Sequence, residues 1–121
     1  MPLIESLNAV TFLTRDMARA FRFYTSLGFE TKYGGETADF TSFRVGEDHL
    51  NLSLRTDGAP TEGWGRAIFY VADVDAMYQH ALDAGLTPEF TPRDAAWGER
   101  YFHLRDPDGH ELSFAKPIGV A

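Results

Sequence analysis

One pattern occurs twice in this chain, and it constrains the fold more than any other feature. In the first copy Phe12 precedes Asp16, and Met17, Ala20, Phe21, Tyr24 and Leu27 follow at helical spacing before Gly28 and Phe29. In the second, 57 residues on, Phe69 precedes Asp73, and Val74, Met77, Tyr78, Ala81 and Leu82 follow before Gly85 and Leu86. Two copies are too few for a solenoid. A duplicated strand–helix unit instead predicts a pseudo-symmetric domain, with any site expected where the halves face each other.

Each copy carries its own punctuation. Asp16 and Asp73 can cap helices over about 17–27 and 74–84, and Gly28 and Gly85 suit the left-handed position that ends a helix. In the first half, strands are expected at 7–13, 29–34, 39–46 and 49–55. The last shows the clearest alternation, with Leu50, Leu52 and Leu54 against Asn51, Ser53 and Arg55. Turn-forming residues 56–63 link the halves. In the second half, strands are expected at 66–72, 87–91, 100–105 and 110–115, with Asp106-Pro-Asp-Gly109 as a tight turn. The order is β-α-β-β-β twice, an α+β class, in repeat units of about 5–57 and 64–117 that together form one domain spanning 1–121.

The chain has 121 residues, and 44% of them are hydrophobic, enough for a packed core. It has no cysteine, which removes disulfides, thiolate metal sites and cysteine nucleophiles. No run approaches the length of a membrane span and no signal pattern opens the chain, so a cytoplasmic protein without membrane contact is expected. The net charge of −7 argues against a nucleic-acid partner. The second half is the more acidic, which suits either plain solubility or attraction of cationic ligands.

On one parity the strands are apolar and fit against the helices. The other parity carries Asn51, Ser53, Arg55, Arg66, Tyr70, Tyr101, His103, Arg105, Glu111 and Ser113. Polar and aromatic residues sharing a sheet face suggest an open sheet over a pocket or a subunit contact.

In this order, doubled, Arg15-Asp16, Phe23-Tyr24, Leu27-Gly28-Phe29, Asp73-Val74-Asp75, Ala84-Gly85 and Asp106-Pro-Asp-Gly109 resemble the vicinal oxygen chelate superfamily. That superfamily includes glyoxalases, extradiol dioxygenases and bleomycin-resistance proteins. The resemblance covers nearly the whole chain. It implies two βαβββ units forming a curved mixed sheet around a U-shaped cavity, and a homodimer with clefts built from two chains. It also implies a divalent metal held from four strands. Counted from the anchors, those positions hold Ala9, Asn51, Arg66 and Ser113, none of them a good ligand. The expected metal is therefore absent, and no other cofactor is called for.

Trp97-Gly-Glu-Arg100 followed by Arg105-Asp-Pro107 resembles the corresponding stretch of bleomycin-resistance proteins, which sequester a drug without breaking a bond. The expected function is thus metal-independent binding of a planar or cationic small molecule. Trp97, Tyr101 and His103 are the first candidate contacts, with Asn51, Arg55, Arg66 and Ser113 deeper. Trp97 could equally sit at a dimer seam, and Arg66 could bind an anion or form an internal salt bridge. A hydrogen-bonded sheet residue is the preferred reading of His103. The alternative is a lyase, isomerase or dioxygenase with a rearranged metal site, such as His103 with Glu111 or His110, or with His103 as acid or base. A third reading is a dimeric module with a vestigial pocket. His49, His80 and His110 are expected at the surface, and Trp64 is expected to be structural. Ser53 and Ser113 have no visible nucleophile triad, and Gly34-Gly35 matches no phosphate loop.

Overall fold

The computed structural model describes residue 3, residues 5–61, residue 63 and residues 66–119; Trp64 lies outside the described residues. The chain divides into two compact units, Met1–Thr61 and Glu62–Ala121. The first contains β1 (Ala9–Thr14), α1 (Met17–Ser26), β2 (Glu30–Tyr33), β3 (Phe40–Val45) and β4 (Asp48–Leu54). The second contains β5 (Arg66–Tyr70), α2 (Val74–Asp83), β6 (Arg93–Asp94), β7 (Glu99–Arg105) and β8 (Glu111–Pro117). Each unit forms a four-stranded mixed sheet, in the orders β1-β4-β3-β2 and β5-β8-β7-β6. In both, the first strand pairs in parallel with the last, and the remaining neighbours are antiparallel. The α+β architecture of two βαβββ units is the expected one.

The helices begin and end alike. Asp16 Oδ1 accepts the Arg19 N–H at 3.1 Å, and Asp73 Oδ1 accepts the Ala76 N–H at 3.0 Å. At the other end, Gly28 N–H donates to Thr25 O and Phe29 N–H to Tyr24 O; Gly85 N–H donates to Leu82 O and Leu86 N–H to Ala81 O. These paired bonds form a Schellman motif, which needs a left-handed residue at its centre. Gly28 (φ 100°) and Gly85 (φ 81°) supply it.

Apolar parity builds each core. Phe12, Phe43, Leu50 and Leu52 are buried with Tyr24 of α1 in the first unit; Phe102, Leu104, Leu112 and Phe114 are buried in the second with Val74 and Ala81 of α2. Two helix assignments shift. Phe23 is buried where Phe21 is only half-buried, and Leu82 is exposed rather than on the core face.

The strand expected at 87–91 is absent, and the sheet edge is instead the two-residue β6. Pro88 falls inside that stretch and Pro92 directly follows it, and both lack the N–H a ladder requires. One backbone bond survives, from Glu89 N–H to His103 O at 2.9 Å. His110 is buried rather than at the surface, because the turn closes over itself. Asp106 Oδ1 accepts the N–H groups of both Asp108 and His110 there. His80 is exposed, as expected, and His49 is half-buried on β4.

Candidate functional site

Ladder register puts one set of side chains on the open face of the second sheet. Arg66 stands opposite Glu111, Ile68 opposite Ser113 and Tyr70 opposite Ala115; across β7, Tyr101, His103 and Arg105 face Ala115, Ser113 and Glu111. Small residues occupy the central strand, so Ser113 is 5% exposed beneath its larger neighbours. The outer side chains remain open: Ile68, Tyr70 and Trp97 are 60%, 65% and 68% exposed.

Four rings run along this face. Trp97 and Tyr101 have centroids 5.4 Å apart, Tyr101 and His103 are 5.1 Å apart, and Phe90 lies 5.1 Å from His103 and 5.5 Å from Tyr101. The Arg93 guanidinium sits 3.6 Å from the Phe90 centroid and 5.8 Å from that of Tyr101. A cation thus already uses the negative faces of these rings. At the other end, Glu99 accepts the Trp97 indole N–H at 2.9 Å and the Tyr70 hydroxyl. That second bond raises the Tyr70 pKa, because ionising the phenol would set two negative charges in contact. Arg100 points elsewhere, binding Asp75 through two nitrogens and Asp94 through a third, and holding the Asp75 carboxyl below its ordinary pKa.

Next to the rings lies a charge cluster. His103 Nδ1 is 3.7 Å from Glu89 and 3.8 Å from Glu111, and its side chain is 12% exposed. Arg66 pairs with Glu111 at 2.6 Å; Arg105 reaches Glu89 at 3.1 Å and Glu111 at 3.3 Å. Burial lowers the His103 pKa, and Arg66 and Arg93 reinforce that against the opposing pull of Glu111 and Glu89. Imidazole is therefore neutral near pH 7. A cavity of about 490 Å³ opens beside Arg66, Arg105 and Glu111.

Of the sequence candidates, Trp97, Tyr101, His103, Arg66 and Ser113 share this face, and Arg66 forms the salt bridge. Asn51 lies on the first sheet, donating to Thr11 Oγ1 at 3.3 Å. Arg55 is held by the segment after β4, through Asp57 at 3.1 Å and Pro60 O at 3.0 Å. Sequence reasoning leaves out Phe90, Arg93 and Glu89, which fall in or beside the stretch misassigned as a strand. The two prolines are the signal that a loop could bring them back over β7.

The donor set at Ala9, Asn51, Arg66 and Ser113 does not fit a metal: Ala9 has no donor atom, and Arg66 is a cation already paired with Glu111. A different group, Glu89, His103 and Glu111, brings atoms of ligating type within 4.8 Å of one another. Two guanidiniums already balance its two carboxylates.

Two mixed sheets of this topology, each backed by one capped helix, define a glyoxalase-type α+β protein. The family model described as the Glyoxalase/Bleomycin resistance protein/Dioxygenase superfamily matches residues 6–114, and the chain belongs to that superfamily. A superfamily member from Sphaerobacter thermophilus has a similar fold, with a TM-score of 0.77 at 24% identity over 94% of this chain and 98% of that one. A bleomycin-binding protein complexed with bleomycin matches with a TM-score of 0.75 at 21% identity, over 93% and 98%. A bleomycin resistance determinant encoded on transposon Tn5 gives 0.77 at 20%, over 93% and 98%. An uncharacterized protein of Mycobacterium bovis is 46% identical over 48 residues, 40% of this chain. The match spans about a third (32%) of that relative's length. No helix among the described residues is long and apolar enough to cross a membrane.

Proposed function

We propose that this chain is a small-molecule-binding protein that sequesters a planar cation on the ring-lined face of the second unit, without a metal and without breaking a bond. The observation that carries the reading is the row Trp97–Tyr101–His103–Phe90 with the Arg93 guanidinium already stacked at one end. A flat cationic ligand would extend that stack toward Trp97. Neutral His103 adds a ring without adding repulsion, and Glu99 fixes the indole through its N–H. The bleomycin-binding and bleomycin-resistance neighbours are consistent with this use of the fold, though their similarity speaks to fold alone.

The reading includes a homodimer, since Ile68, Tyr70 and Trp97 leave an apolar surface that a second copy could cover in part. Sedimentation analysis tests this, and a monomer at tens of micromolar would remove it. For the ligand, titration with bleomycin and with flat cationic dyes should quench tryptophan fluorescence saturably. Trp97→Ala should weaken binding about tenfold, in line with the value of a desolvated ring–cation contact. An absence of binding at micromolar concentration would remove the drug-binding reading and leave the fold untouched.

A second reading, an enzyme of the lyase or dioxygenase type, is favoured by one observation: the Glu89–His103–Glu111 group. Elemental analysis of protein purified without chelator separates the two. About one divalent metal ion per chain, lost in Glu111→Gln, would reverse the ranking.

A further inference from the structure

A second cleft lies wholly within the first unit. A cavity of about 410 Å³ opens over the polar face of its sheet. The floor comes from the ladders: Ala9 stands opposite His49, Asn51 opposite Ser42, and Tyr33 opposite Ser42 from the other side. The methyl group of Ala9 is small enough to leave the space open.

The edge strand shapes the rim. Pairing between β2 and β3 slips between Thr31 and Tyr33. Strict alternation would send Lys32 and Tyr33 to opposite faces, but an irregularity of this kind can re-aim a side chain. Both residues line the cleft. Gly34 (φ 87°) then turns the chain so closely past β3 that an added Cβ would clash with Phe40 O. The turn brings Tyr33 and Phe40 to the same opening.

Polar groups in this cleft lack partners suited to them. Lys32 Nζ lies 3.2 Å from His49 Nε2, yet no carboxylate among the described residues pairs with it. Glu30, on the same strand, is taken by Arg44 at 3.4 Å. Ser42 is 8% exposed and lines the cleft, and its hydroxyl has no hydrogen-bond partner among the described residues. The hydroxyl opens onto the cleft, where a ligand oxygen can accept from it. Tyr33 and Phe40, 64% and 40% exposed, flank these donors with flat apolar surface.

We propose that this cleft binds a small aromatic monocarboxylate. The Lys32 ammonium and the Ser42 hydroxyl take the carboxylate oxygens, and Tyr33 and Phe40 flank the aryl ring. One cation and two rings suit a monoanion with a flat body better than a dianionic phosphate, whose charge a single ammonium leaves half balanced. The volume lies in the lower range of small-molecule sites. The charge preference is opposite to that of the ring row on the second unit, so the two readings stand or fall separately.

Calorimetric titration of the full chain with benzoate, benzamide and acetate tests the assignment. Benzoate should bind saturably, with benzamide and acetate each weaker by about tenfold or more, as loss of the charge or of the ring requires. Lys32→Met, at an exposed position, should lower benzoate affinity by a similar factor, and Ser42→Ala by a smaller one. Trp97→Ala should leave benzoate binding unchanged. No saturable benzoate binding in the millimolar range, equal affinity for benzamide, or undiminished binding by Lys32→Met would each overturn the proposal.

Discussion

The two units share their frame and differ in what they expose. Both start a helix on an aspartate side chain, end it with the same pair of backbone bonds around a glycine, and bury two phenylalanines in the sheet with a helix behind. Their open faces have nothing of this correspondence. The first presents an ammonium, a hydroxyl and two rings around a cleft; the second presents four rings in a row beside five interlocked ionisable groups. Caps and core are constrained by folding itself, because an unmet N–H or an empty space costs stability wherever it occurs. An open face bears no such constraint, so two copies of one frame can hold unlike sites.

That contrast can be broken at its shared part. Phe43→Ala and Phe102→Ala remove fully buried rings from the two cores. Each should cost about 3–5 kcal/mol in urea unfolding. A loss confined to one of the pair would mean that one unit supports most of the stability. Smaller effects are expected at the caps. Asp16→Ala and Asp73→Ala should each cost about 1 kcal/mol, and the double variant should lose the sum within experimental error. Strong coupling between the caps would show that the helices do not report on separate units.

The smallest effect belongs to the open face and has a defined sign. Because burial lowers the His103 pKa, the folded protein binds fewer protons here than the unfolded chain as pH falls through the ordinary histidine range. Stability contributed by neutral His103 is therefore present above that range and declines below it. His103→Gln should flatten this part of the stability–pH curve. A curve that instead rises toward acid pH in the wild type, and loses the rise in the variant, would mean that Glu89 and Glu111 outweigh burial.

Much of the frame is legible in the sequence because local rules govern it: an acid before an apolar stripe, a glycine after it, alternation in the strands. The leucines of β4 announce their own face. The loop over β7 is not legible in the same way. Residues 87–91 alternate well enough to read as a strand, but Pro88 and Pro92 deny the ladder, and only then can Phe90 and Arg93 reach the rings. His110 misleads for a related reason: a turn usually lies at the surface, and this one folds its aspartate inward. The candidate residues on the second sheet follow from parity alone. Tyr33 does not, since a slip in register, invisible in composition, turns it toward the cleft.

The parallel pairing of the first strand with the last in each sheet has a kinetic consequence. Neighbours β3–β4 and β7–β8 can close through short loops, whereas β1 and β5 must wait for a strand roughly forty residues away, and closing longer loops is slower. These two strands should therefore join their sheets late. Conservative truncations such as Val10→Ala in β1 should speed unfolding while leaving the folding rate nearly unchanged, and Leu112→Ala in β8 should slow folding. Ala9 and Arg66, one at the floor of a cleft and the other in the charge cluster, both lie on the late strands. Each exposed face would then be finished only in the closing step of its own unit's folding.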